Sequence, residues 1–220
     1  RDEPRSATVR LIPTWDRHGR VILATMETTR ELVGGRIQTT RHFRGLVRLD
    51  QDQPELRRQP PRSKGARPIE KDAIYRAYFH GPAFQVLEKV VPVGNDTMAG
   101  LMQTGPQHPP LGRPGQLVAR PMLAELAFQA AGIAEARRNR TLGLPAGVKR
   151  LRLHRAPDGE TGQVAAFVQP RQDNGSTDYG IQVVDERGYT LLELDGYRTS
   201  PLPAGLPDDV HAGLAPEDDT

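Results

Sequence analysis

Apolar and polar positions alternate in three runs along the first fifty residues, the period of a half-buried strand. Residues 7–15 set Val9, Leu11 and Pro13 between polar neighbours; residues 20–29 follow the turn Asp16-Arg17-His18-Gly19, and residues 36–49 follow Gly34-Gly35. Consecutive strands with short turns predict an antiparallel meander with one wet face. The meander has no helix of its own for the dry face. We expect the piece that covers it to precede Arg1.

The alternation then stops. Residues 50–70 contain Gln59-Pro60-Pro61-Arg62-Ser63-Lys64-Gly65-Ala66-Arg67-Pro68, without periodicity, which predicts an exposed linker. Residues 72–80 predict a short helix or turn carrying Tyr75, Tyr78 and Phe79. Strands are predicted at 84–93 and 97–103, with a Pro/Gly loop over 105–115. Residues 121–136 give the clearest helix: proline stands in the first turn, and Met122, Leu126, Ala130 and Ile133 form one stripe flanked by Leu123 and Ala134. Strand patterns follow at 148–155, 163–169, 179–184 and 189–199, the last two joined across Asp185-Glu186-Arg187-Gly188. The predicted class is α+β, a long helix packed on an antiparallel sheet. The expected organisation is an incomplete first unit over 1–50, a linker over 51–70, a second unit over 71–205 and an acidic tail over 206–220.

Composition narrows the chemistry. With no cysteine among 220 residues, disulfides, thiolate zinc sites, iron–sulfur clusters and cysteine nucleophiles are excluded together. No apolar run is long enough for a membrane span. The polar start reads as a cut inside a longer protein, without a leader. The formal charge of +3 hides an asymmetry, because Asp208, Asp209, Glu217, Asp218 and Asp219 crowd the last fourteen residues. The rest of the chain carries 30 basic against 22 acidic side chains. That balance suits an acidic or phosphate-bearing partner, and equally an arginine-biased solvated surface. No zinc-finger, RNA-recognition or basic-zipper pattern accompanies it, so nucleic acid is not an expected partner. Metal-spaced His/Asp clusters and nucleotide fingerprints are also missing from the sequence.

Two segments could carry chemistry. Glu125 and Gln129 stand one turn apart on one face of the predicted helix, at the edge of its apolar stripe. A carboxyl there is shielded from bulk water, and an amide one turn away can fix its rotamer, as a general acid requires. The plain alternative is a polar pair bordering a core. The second segment is Tyr78-Phe79-His80-Gly81-Pro82-Ala83-Phe84-Gln85, where a Gly-Pro step between rings lets a ligand approach the backbone. Its alternative is a tight turn with the rings in the core.

In order along the chain, these segments resemble the dehydratase domain of polyketide synthases, including the related domain of polyunsaturated fatty acid synthases. His80-Gly81-Pro82-Ala83-Phe84-Gln85 resembles the family's Tyr-Gly-Pro-x-Phe-Gln segment. Pro121-Met122-Leu123-Ala124-Glu125-Leu126-Ala127-Phe128-Gln129 keeps the spacing of its Pro-x-x-x-Asp-x-x-x-Gln segment. Leu144-Pro145-Ala146-Gly147-Val148-Lys149-Arg150-Leu151 is similar to the run that leads into the following strand. The resemblance covers residues 72–200, and residues 7–49 as the end of a first half.

The resemblance implies a double hotdog, each half a long helix wrapped by antiparallel sheet, with the first incomplete here. It implies syn removal of water from a 3-hydroxyacyl thioester on acyl carrier protein. A histidine of the first half takes the α-proton, Glu125 protonates the leaving hydroxyl and Gln129 orients it. Tyr78, His80, Gly81, Pro82 and Phe84 would line the substrate. No cofactor and no metal is implied. The partners implied are acyl carrier protein with its phosphopantetheine-tethered chain and the other domains of a bacterial, cytoplasmic synthase; a homodimer is open, and neither nucleic acid nor membrane is expected. Two departures stand out. Glutamate occupies the family's aspartate position, as in the polyunsaturated-fatty-acid branch, whose Tyr75-x-x-Tyr78-Phe79-His80-Gly81-Pro82 pattern also fits. The base motif His-x-x-x-Gly-x-x-x-x-Pro does not occur: His108-Pro109-Pro110-Leu111-Gly112 matches only its first half, from a loop of the second unit. The base is expected upstream of Arg1. The competing readings are a degenerate dehydratase acting as scaffold, docking or dimerisation element, and a stand-alone acyl-thioester binding module.

Overall fold

The computed structural model describes residues 6–49, 67–94, 96–103, 121–154, 162–173 and 176–215. Most of the predicted linker, the 105–115 loop with His108, and the last five residues lie outside the described residues. The chain divides into two compact units, Arg1–Gln53 and Pro54–Thr220.

The first unit is the predicted meander. Strands β1 (Thr8–Asp16), β2 (Gly19–Glu31) and β3 (Ile37–Val47) pair antiparallel in that order. Register aligns Val9 with Met26 and Phe43, Leu11 with Ala24 and Gly45, and Pro13 with Ile22 and Val47. Because side chains alternate along a strand, these three rows form one apolar face. Val9, Leu11, Phe43 and Val47 on that face are all exposed.

The second unit wraps one helix. Its sheet runs β4 (Ile69–Glu70), β5 (Leu87–Gly94), β6 (Thr97–Met102), β9 (Ala165–Asp173), β10 (Ser176–Val184), β11 (Thr190–Pro201) and β7 (Gly143–Gly147), with β8 (Arg150–Leu153) also pairing with β11. The inner rows read Val90–Gly100–Ala166–Val183–Leu192 and Pro92–Met98–Val168–Ile181–Leu194. They face α2 (Pro121–Asn139), where Leu126, Ala127, Ala130, Ala131, Ile133 and Ala136 have no exposed surface. The predicted stripe is therefore too narrow: the helix is buried around most of its girth, and alanines let the sheet come close. A Cβ on Gly100 of β6 would stand 2.7 Å from that of Ala130, so glycine is what allows this approach.

Several boundaries differ from the sequence pattern. The strand expected from residue 84 begins at Leu87, because Pro82–Phe84 closes a 3-10 turn first. The strand expected over 148–155 is β8, shortened to Arg150–Leu153, and the Gly/Pro-bearing run before it holds a further strand, β7, that the pattern did not predict. Helix α1 (Lys71–Ala77) stands where a short helix was predicted. The acid-rich end, expected as a tail, holds α3 (Asp208–Leu214), whose Leu214 is fully buried in the core. Two aspartates in its first turn suit the positive end of the helix dipole.

Candidate active site

The site is built where α2 meets α1 and the turn that follows it. Gln129 on α2 is only 2% exposed, so each of its polar atoms needs a partner. The Leu87 backbone N–H donates to the Tyr75 hydroxyl oxygen at 2.7 Å. The Tyr75 hydrogen is thereby free to be donated to Gln129 Oε1, at 2.8 Å. That fixes the amide: Nε2 donates one hydrogen to the Phe84 carbonyl and the other to Glu125 Oε1, both at 2.6 Å. A chain of hydrogen bonds thus runs from the start of β5 to the Glu125 carboxyl. Every link is satisfied, which favours one conformation of the group.

Glu125 lies one turn before Gln129, its side chain 23% exposed. Oε1 also stands 3.2 Å from His80 Nε2. Oε2 has no hydrogen-bond partner among the described residues. His80 is held between two rings, edge to face with Tyr78 (centroids 4.9 Å, 77°) and stacked on Phe79 (5.1 Å, 10°). Its carbonyl accepts from Gln85 Nε2 at 3.1 Å, which closes the turn on itself.

The other residues of the segment divide by role. The Tyr78 hydroxyl donates to the Gln129 carbonyl at 2.7 Å and lies where a Cβ of residue 132 would be, 2.2 Å from it. Gly132 leaves room for this strut. Tyr78 therefore braces α2 from a place the sequence assigned to lining substrate. Burial first, then neighbouring Tyr197, Tyr75, Glu125 and Glu135, hold its hydroxyl protonated far above the usual phenol range. Tyr75 is likewise pushed well up, mainly by burial. Gly81 has ordinary negative φ, and a Cβ there would meet open space. Phe79 and Phe84 expose their rings beside it. His80, Gly81, Pro82 and Phe84 thus share one short turn with an open side.

Tyr75 is the residue that sequence reasoning did not place in the site. Its signal was present: a tyrosine three residues before Tyr78 on a helix shares its face. The remaining described histidines have partners elsewhere: His18 accepts from Arg17, His42 meets Thr28, His154 pairs with Glu193 and His211 meets the Arg137 carbonyl. Among the described residues no group of His, Asp and Glu could hold a metal ion. A cavity of about 410 Å³ lined by Lys71, Asp72, Tyr75, Arg76 and Gln85 shares Tyr75 with the network. Another of about 290 Å³ lies on the outer sheet face around Arg150, Arg152 and Arg171. Neither has Glu125 or His80 in its wall, so the chemistry of the pair, and not cavity size, singles out the site.

A sheet wrapped on a long helix, with a carboxyl and an amide one turn apart on that helix, defines an α+β protein of the hotdog class. Residues 48–209 match the model of the polyketide synthase dehydratase N-terminal domain, and the chain belongs to that family. Solved structures agree on the fold. The dehydratase domain from the CurF module of curacin polyketide synthase is 23% identical, over 89% of this chain and 69% of that one, with a TM-score of 0.66. A trans-AT polyketide synthase dehydratase domain from Brevibacillus brevis is 16% identical, over 90% and 76%, at 0.61. A dehydratase of the borrelidin and fluvirucin synthases is 20% identical, over 90% and 68%, at 0.62. No curated protein matches the chain. Such a domain has the other domains of its synthase as neighbours. No described helix is long and apolar enough to cross a membrane.

Proposed function

We propose that this chain supplies the general-acid half of a dehydratase acting on a 3-hydroxyacyl chain carried by acyl carrier protein. The observation that carries the reading is the Glu125 carboxyl, with Oε1 pinned by the buried amide of Gln129 and Oε2 without a hydrogen-bond partner among the described residues. A base removes the α-proton, and the C–H electron pair becomes the new C=C bond. The β-carbon to oxygen bond breaks, and the proton on Glu125 Oε2 passes to the departing hydroxyl, which leaves as water. The carboxylate that remains accepts from the Gln129 amide until it is reprotonated. The base is a histidine in a His-x-x-x-Gly-x-x-x-x-Pro segment, a pattern this sequence does not contain. The exposed Phe79 and Phe84 offer the acyl chain an apolar edge.

The test is alkene formation from a 3-hydroxyacyl carrier protein or N-acetylcysteamine thioester. The 220 residues alone should show no enzymatic turnover, and the chain joined to the base-bearing segment should. In the joined protein Glu125→Gln should lower the rate by about 10²–10⁴, the usual worth of one positioned acid–base group. Glu125→Asp should also lose activity, because the carboxyl falls about an ångström short and that is worth about 10²-fold. Binding of acyl carrier protein should survive both changes, since docking rests on arginines of the basic body. Full turnover in Glu125→Gln would remove the carboxylate from the mechanism and leave the scaffold reading in its place.

A further inference from the structure

Resting on that reading of Glu125, we propose that His80 is its positioning residue: His80 Nε2–H and the Gln129 amide together grip Oε1 and so confine the transferable proton to Oε2. The ring is 3.2 Å from Oε1 through Nε2, while Nδ1 is buried and has no hydrogen-bond partner among the described residues. A hydrogen on Nδ1 would therefore be buried without an acceptor, and the Nε2 lone pair would face the carboxyl oxygen. The neutral ring carries its hydrogen on Nε2, as a donor. Two N–H donors then converge on one oxygen, and a proton placed on Oε1 would oppose both. Oε2 is the oxygen left for the acid proton.

Gln129 alone does not achieve this. It reaches Glu125 from the same helix, one turn away, and holds Oε1 through a single hydrogen bond. His80 reaches it from a separate segment and gives the carboxyl a second anchor. The ring cannot easily turn aside, since Tyr78 meets its edge, Phe79 covers a face and Gln85 ties down its carbonyl. Three consecutive rings, Tyr78, Phe79 and His80, thus act as a clamp on the orientation of the acid.

Two measurements test this separately from the dehydratase reading. Long-range proton–nitrogen correlation on the ¹⁵N-labelled 220-residue chain, at mildly alkaline pH, should show His80 as a single Nε2–H tautomer. Glu125→Leu should turn that signature into a mixture. An Nδ1–H tautomer in the unaltered chain, or one indifferent to Glu125→Leu, overturns the proposal without any assay of activity. In the joined protein, His80→Phe should lower kcat about ten- to a hundredfold with little change in KM, as a misplaced group does. His80→Gln, whose amide can bring a donor to the same oxygen, should restore most of the loss. His80→Phe at full kcat, with Glu125→Gln inactive, rejects the positioning role and leaves the acid in place. Both variants at full kcat reject both.

Discussion

The two units carry the same kind of inner face and treat it oppositely. In the second, rows such as Met98–Val168–Ile181–Leu194 lie under α2, and each of these side chains is at most 4% exposed. In the first, the corresponding row of Val9, Met26 and Phe43 ends in residues 61% and 67% exposed. Alternation alone therefore does not make a core. A covering helix turns a patterned sheet into one, and in the covered region the buried Gln129 has every side-chain polar atom paired. Chemistry that needs a fixed carboxyl belongs with the covered region.

The largest test of this contrast removes the same side chain from each. Leu126 has no exposed surface, whereas Leu11 is 61% exposed. Leu126→Ala should cost about 2–5 kcal/mol, from lost transfer energy and the cavity left behind. Leu11→Ala should stay within about 0.5 kcal/mol. Amide hydrogen exchange along the whole chain reads both, and equal effects would erase the distinction between covered and uncovered sheet.

The same contrast explains what the sequence disclosed. The meander's strands, with period two and short turns, lie within two residues of their predicted ends. Pattern finds such strands because neighbouring residues in sequence decide them. The central helix was legible from its proline and its stripe, but not its burial on most sides. That depends on β6, β9, β10 and β11 closing round it. Spacing brought Glu125 and Gln129 together because four residues make one turn. The His80 contact came from no spacing, since it spans forty-five residues. Yet His80 and Glu125, each within a segment that carries the resemblance, touch. Tyr75 was seen as an aromatic residue and not as a link in the network, because its partner Leu87 is fixed only by the fold.

A smaller effect separates hydrogen bonds in the two regions. Tyr75→Phe keeps the ring but leaves the Leu87 N–H and Gln129 Oε1 unpaired in a dry setting. We expect a loss of about 1–3 kcal/mol, the usual penalty for a buried unsatisfied group. Thr28→Val breaks the 2.7 Å contact with His42, which is exposed. Water replaces the lost partner there, so the change should stay within about 0.5 kcal/mol. Urea midpoints for the two variants, with hydrogen exchange to locate each loss, decide the point. A Tyr75→Phe variant as stable as the unaltered chain would mean that the network orders Glu125 loosely.

The smallest effect is electrostatic and depends on pH. Glu135, farther along α2, is 7% exposed, and burial raises its carboxyl above the ordinary range against the opposing bond from Thr199 Oγ1 at 2.6 Å. The native state therefore keeps this proton to higher pH than the unfolded chain does. Well below the ordinary carboxylate value both states hold it, and the group costs nothing. As pH rises through that value the unfolded chain releases its proton first, so stability falls until the native carboxyl ionises as well. Glu135→Gln removes the fall. Its amide oxygen can still accept from Thr199, and whatever its new N–H₂ costs is the same at every pH. The readout is accordingly a slope: the Tm of Glu135→Gln minus that of the unaltered chain should rise from acid to neutral pH. In the meander, Glu27 pairs with an exposed Arg41 at 2.9 Å, and Glu27→Gln should change stability by about 0–1 kcal/mol, an effect that fades in salt. A flat difference for Glu135→Gln would show that water reaches this carboxyl, and that the covered region is less dry around its helix than its packing implies.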